Sequence, residues 1–140
     1  MLLLCYAIHT LLQVTLKMRS ILFKAKKLSD GKWVKGSLVK TPFGTFIEWY
    51  EDSICNKREV DTDTVCQSTG LKDCEGKEIW EGDIVHDSYD LLCIDNLYEV
   101  VYIEEEGAFA FKSLDKVDNY EPFVNLLEAY VVGNKFDKED

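Results

Sequence analysis

Alternation of apolar and polar positions is the dominant pattern in this chain. Between Ile21 and Lys26, Ile21, Phe23 and Ala25 fall on one side of an extended backbone and Lys24 and Lys26 on the other, as in a strand with one buried face. Asp30-Gly31 supplies hairpin turn chemistry, Trp33 to Val39 returns, and Pro42 with Gly44 breaks that run. Thr45 to Tyr50 follows, rich in aromatic and β-branched residues. On this reading Lys24, Lys26 and Lys35 line the solvent face of one hairpin, with Lys27 near its turn. Glu51 to Thr64 is polar and reads as a connection with at most a short helical turn.

The second half repeats the pattern with shorter runs. Gly82-Asp83-Ile84-Val85 starts a strand, Leu97 to Ile103 and Ala108 to Lys112 flank the turn Glu104-Glu105-Glu106-Gly107, and Ala129 to Val132 forms a late strand. Short strands separated by turns predict a small barrel. Glu121-Pro122 reads as a helix opening, proline being tolerated at the first helical position, with Phe123, Leu126 and Leu127 turned inward. The fold class expected is α+β, mainly β. No internal repeat interrupts the pattern, and low complexity is confined to the acidic tail Asp137 to Asp140.

A chain of 140 residues with 46% hydrophobic content suits one compact domain and buries enough surface to exclude wholesale disorder. Its first 17 residues are apolar, with no charge before Lys17. They fit neither a signal peptide, whose positive charge precedes the apolar stretch, nor a membrane span, being short and interrupted by His9, Thr10, Gln13 and Thr15. The expected organisation is therefore an appendage or mis-assigned start over residues 1–17 and one domain over 18–140, with an N-terminal part at 18–74 and a barrel part at 75–140. A cytoplasmic protein with no membrane partner follows.

The formal net charge of −10 works against binding nucleic-acid phosphates, which relies on lysine and arginine displacing counterions. The charge is unevenly distributed. Lys17 to Lys40 carries eight basic side chains and one acidic, whereas Thr41 to the end carries eight basic and 25 acidic. Such a division suits three functions: self-association through opposed faces, an acidic surface for a basic partner, or a basic hairpin for a polyanion. The five cysteines are odd in number and contain no Cys-x-x-Cys pair. They give weak ground for a disulfide framework or a zinc site, and no metal or cofactor is expected.

Enzyme signatures fail one by one. Gly70-x5-Gly76-Lys77-Glu78 is one residue too long for a phosphate-binding loop and places glutamate where the Mg²⁺-binding hydroxyl belongs. Ser68, His86 and Asp83 or Asp87 form a triad only by chance, because no nucleophile elbow surrounds the serine. Paired carboxylates such as Glu78 with Glu81, or those of Glu104 to Glu106, do acid/base work only in a cleft that shifts one pKa. No catalytic residue is assigned.

The densest motif is Val65 to Val85, VCQSTGLKDCEGKEIWEGDIV. It resembles the signature of the YopX family of phage and prophage proteins: Gln67-x-Thr69-Gly70-Leu71-x-Asp73, then Gly76-Lys77-x-Ile79, then Glu81-Gly82-Asp83-Ile84-Val85. Met18-Arg19, Phe23-x-Ala25 and Trp33-Val34-x-Gly36 resemble the family's opening hairpin, and Val131-Val132-Gly133-Asn134 its closing strand and Gly-Asn turn. The resemblance spans Met18 to about Phe136, with departures at Cys66, Cys74 and Lys135. It implies an SH3-like barrel in the C-terminal half and a phage or prophage origin, and no established activity. Read residue by residue, the motif is scaffold first, with glycines at tight turns and Asp73 capping amides two residues on. The competing reading exposes Gln67, Thr69, Asp73, Glu81 and Asp83 to a ligand or partner.

These features together predict a non-enzymatic interaction or self-assembly module whose partner is a second copy or a host or phage protein. The alternative is a DNA-mimicking acidic inhibitor of a host nucleic-acid-binding protein. Nucleic-acid binding through the Lys17 to Lys40 hairpin and Trp33 stands third.

Overall fold

The computed structural model describes residues 20–87, 96–123 and 128–137. The leader, Met18 and two of the inward helix positions, Leu126 and Leu127, lie outside the described residues. Eleven strands form two antiparallel sheets among them.

The first sheet has six strands in the order β4-β3-β2-β1-β5-β6. β1 (Phe23–Lys26) pairs with β2 (Trp33–Thr41), which turns through Pro42-Phe43 into β3 (Gly44–Glu51). β4 (Ile54–Glu59) pairs with β3 over six positions. The polar connection expected between Glu51 and Thr64 is thus a strand for half its length, followed by a 3-10 turn at Thr62–Thr64. As an edge strand exposed at five of its six positions, it needs no apolar face, so its sequence carries no alternation to read. β5 (Cys66–Lys72) and β6 (Glu78–Trp80) come from the central motif and complete the sheet on the other side of β1.

The second sheet has five strands in the order β10-β9-β8-β7-β11. β7 (Asp83–His86), β8 (Leu97–Ile103), β9 (Ala108–Ser113) and β10 (Tyr120–Pro122) form a meander, and β11 (Tyr130–Asn134) returns beside β7 with a register shift between Val131 and Gly133. At the expected helix opening, Glu121 and Pro122 end a strand, paired to Phe111 and Ala110; Phe123 that follows has 3-10 geometry, and residues 124–127 lie outside the described residues. Proline is tolerated at Pro122 because β10 is an edge strand. The architecture of the described residues is mainly β, and no pairing between β10 and β11 closes the second sheet.

The cores differ in size. Ile79, Val85, Tyr98, Val100, Phe111, Ala129 and Val131 are buried together in the second half, with Phe109 and Phe123 against them, and Phe123 stacks on Phe111 at 4.1 Å between centroids. In the first sheet only Ala25, Ile47 and Val60 are buried as a cluster, supported by half-buried Phe23, Val34, Leu38, Trp49 and Val65. Gly36 permits the close approach of β2 and β3, since a Cβ there would collide with the Glu48 carbonyl group.

Candidate functional site

The apolar side of β1 behaves as its alternation predicts, with Ala25 fully buried, although Ile21 lies before the strand and is exposed. Its lysine side does not. Lys24, expected to face solvent, has a side chain only 12% exposed because β1 lays this face against the β6–β7 connection and the Gly133-Asn134 turn. The Lys24 ammonium lies 3.4 Å from Asp83 Oδ1, 4.7 Å from the centroid of Trp33 and 5.4 Å from that of Trp80. An ammonium held between two indoles gains from both ring quadrupoles while it is partly desolvated. Lys26 donates to the Phe136 carbonyl and also lies over Trp33. Lys27 pairs with Asp30 within its own hairpin at 2.9 Å, and Lys35 reaches Glu78 at 3.3 Å. All four lysines predicted as a contact surface have partners inside the chain.

Asp83 is the centre of this junction. It is buried, its Oδ2 accepts from the Trp80 amide at 2.8 Å, and its Oδ1 accepts from Asn134 Nδ2 at 3.0 Å as well as from Lys24. A buried carboxylate requires such compensation. Asn134 also donates its side-chain amide to the Glu81 carbonyl, accepts from the Phe136 amide, and donates its backbone amide to Asp137 Oδ2. Trp33 Nε1 donates to Asp137 Oδ1 at 3.0 Å. Burial works to raise the Asp137 carboxyl, but these donors and the nearby lysines outweigh it and hold the group below its ordinary value. Gly82 has φ +79° in the tight turn before Asp83, and the Lys135 side chain lies close enough to crowd any Cβ there.

A second clamp lies at Asp73. Its Oδ1 accepts the amides of Glu75 and Lys77 at 2.9 and 2.8 Å, and its Oδ2 accepts the amide of Val131 in β11 at 2.9 Å. Burial pushes this carboxyl up, yet the three amides prevail and its pKa is lowered. Gly76, at φ +81°, closes the turn they cap. Thr69 is buried and donates to the Ile79 carbonyl. Gln67 and Glu81 are half-buried, the Gln67 amide donating to Glu81 Oε2 and the Gln67 carbonyl accepting from the Glu81 amide, while Gly70 and Leu71 are exposed. Ile79 belongs to the large core. The motif therefore runs from the first sheet into the second, and its two buried aspartates are engaged by donors of the chain itself.

A cleft of about 230 Å³ remains between the sheets, bordered by Trp33, Trp80, Lys35, Lys77, Glu78 and Asp137. Its charges are mixed and mostly paired, an arrangement that locks two layers together. Burial pushes the adjacent Cys66 thiol up to about 11, so it is a poor nucleophile at neutral pH. Ser68 Oγ accepts the Gly70 amide, and His86 packs against Tyr130 at 5.3 Å. Among the described residues no three His, Cys, Asp or Glu side chains group as metal ligands, and no helix is long and apolar enough to cross a membrane. The residues that sequence reasoning missed are Trp33 and Trp80 as partners of lysine, and Asp137. Two tryptophans within reach of lysine-bearing strands were the available signal.

Two antiparallel sheets joined by a motif of inward-facing aspartates and turn glycines define a class of small β protein. The YopX protein family model matches residues 22–138, and the chain belongs to that family. Its fold is similar to the crystal structure of protein EF1440 from Enterococcus faecalis, with a TM-score of 0.50 and 23% identity over 84% of this chain and 94% of that one. No curated protein matches the chain.

Proposed function

We propose that this chain is a non-enzymatic interaction module of phage or prophage origin that acts in the host cytoplasm by binding a basic protein, in the manner of a DNA mimic. The observation that carries this reading is that Lys24, Lys26, Lys27 and Lys35 each have a partner within the chain, the first two at the joint between the sheets and the last two in surface pairs with Asp30 and Glu78. With those cations paired within the chain, the surplus behind the net charge of −10 is left for the outside. The same engagement weakens the case for the hairpin as a nucleic-acid surface. The second sheet, a four-strand meander whose next strand returns beside the first, is read as an SH3-like unit serving as the binding scaffold. Tagged full-length protein incubated with bacterial lysate should retain DNA-binding proteins at low salt, release them at high salt, and lose them to added duplex DNA. Recovery of no basic protein would overturn the proposal.

One observation favours self-association as a second reading. β4 is a six-residue edge strand with almost every side chain exposed, and an unpaired edge is a template for another strand. Light scattering behind size exclusion should then show an oligomer that Asn56→Pro abolishes. A monomer at every concentration removes this reading.

A further inference from the structure

We propose that the groove over β8, β9 and β10 docks an extended segment of a partner protein in which one or two apolar side chains are flanked by lysine or arginine. The inference rests on the reading of this chain as a binder of a basic protein and places the contact. β8 alternates, so with Tyr98 and Val100 in the core, Val101 and Ile103 project from the opposite face of the sheet. Across the ladder they pair with Ala110, which is buried, and Ala108, which is exposed. A cavity of about 570 Å³ opens beside them, lined by Val101, Tyr102, Ile103, the three glutamates of the turn, Lys112 and Tyr120, within the range of about 300–1,000 Å³ usual for binding clefts.

The walls give the cavity its chemistry. Tyr120, 43% exposed and paired to Lys112, stands on one side. Glu104, Glu105 and Glu106, all exposed, occupy the β8–β9 turn that borders it, held by amides of Glu106 and Gly107 donating to the Ile103 carbonyl. Among the described residues Lys112 is the sole cation of the lining, and the sequence from Leu97 to Phe123 holds seven carboxylates and two lysines. An apolar floor with a tyrosine wall takes apolar side chains. A rim of three carboxylates attracts cations beside them and repels phosphates of nucleic acid or lipid headgroups. The complement is a basic, apolar-centred peptide, which extended-segment recognition accommodates readily.

The test uses full-length, isotope-labelled protein and a synthetic peptide of about twelve residues with two central leucines between lysine and arginine flanks. Control probes replace the leucines with serine, replace the basic residues with glutamate, or substitute a short DNA duplex. At about 0.15 M salt only the first peptide should bind saturably, with amide shift changes centred on Val101, Ile103, Lys112 and Tyr120. The exposed-turn variant E104Q/E105Q/E106Q should weaken it about ten-fold, and Ile103→Thr, which keeps the β-branch, about five-fold. E51Q/D52N, at the distant β3–β4 turn, should leave it unchanged, and melting curves check that every variant is folded. Shift changes elsewhere, indifference to the groove variants, or equal binding of a control probe would overturn the groove. So would failure of the peptide to bind. If the lysate experiment still recovers basic proteins, the broader reading survives that failure; if it recovers none, both fall.

Discussion

Val85, Tyr98, Val100, Phe111 and Val131 of the five-stranded sheet are buried in one cluster with Ala129 and with Ile79 of β6, whereas the cluster within the six-stranded sheet holds three among the described residues, Ala25, Ile47 and Val60. At about 1.5–3 kcal/mol for each large side chain removed from water, the cluster under the second sheet is the larger apolar contribution, and β6 of the first sheet shares in it through Ile79. The first sheet also leans on polar clamps at Asp83 and Asp73, each a carboxylate buried among donors from both halves of the molecule. Charge follows the same division, because Lys24 and Lys26 of β1 are turned to this joint while Glu104, Glu105 and Glu106 of the β8–β9 turn are exposed. A small apolar core makes specific polar contacts decisive, and it thereby uses up the cations that would otherwise advertise a basic surface.

The largest effect should come from emptying the stronger core. Phe111 is 1% exposed and stacked on Phe123, and Phe111→Ala should cost about 3–5 kcal/mol through lost transfer energy and a cavity. Chemical denaturation should show both sheets lost together if the second one supports the first. A separate, unaffected transition for the first sheet would break the comparison. Next is Asp83→Asn, which keeps an acceptor for the Trp80 amide but leaves Lys24 without its counter-charge, at a cost of about 3 kcal/mol. Lys24→Met added to it should recover more than about 1 kcal/mol. An additive pair would show that the lysine and the aspartate act independently.

Acid titration probes the Asp73 clamp. Its carboxyl is held below the ordinary value in the folded chain, so its contribution is complete above about pH 4 and is lost as pH falls through the folded-state value. Asp73→Asn keeps one oxygen but turns an N–H toward the Val131 amide. It should cost about 1–3 kcal/mol at neutral pH and flatten the fall in melting temperature between about pH 4 and pH 2. Parallel curves for the two proteins would remove Asp73 from the acid response.

Legibility in the sequence followed the same division. β1 and β8 were readable because each buries one face and so alternates; β2, β3 and β9 were read from the turns beside them and from aromatic or β-branched content, and β11 as an apolar run. β4 was not, since an edge strand wet on both faces leaves no alternation in Ile54-Cys55-Asn56-Lys57-Arg58-Glu59. β10 was misread because proline at an edge strand and proline at a helix start look alike locally. The joint was half legible: Asp73 and Asp83 stood out within the motif, and the Asp73 cap follows from its spacing to Glu75. That Lys24 faces inward depends on a partner 59 residues away, and alternation alone reports only that the two faces of β1 differ.

The smallest effect distinguishes burial from mere pairing. Lys35 and Glu78 are joined at 3.3 Å, close to the 3.4 Å of Lys24 and Asp83, but their side chains are 57% and 48% exposed. Water and salt screen such a pair, so Lys35→Ala should shift stability by less than about 1 kcal/mol, and that shift should shrink as ionic strength rises. Lys24→Met should exceed it and respond less to salt, because Asp83 is then buried with fewer donors. Melting curves of both variants at low and high salt make the comparison directly. Equal, salt-sensitive losses would mean that distance rather than burial sets the strength of this joint, and the polar clamp would then be no stronger than any surface ion pair.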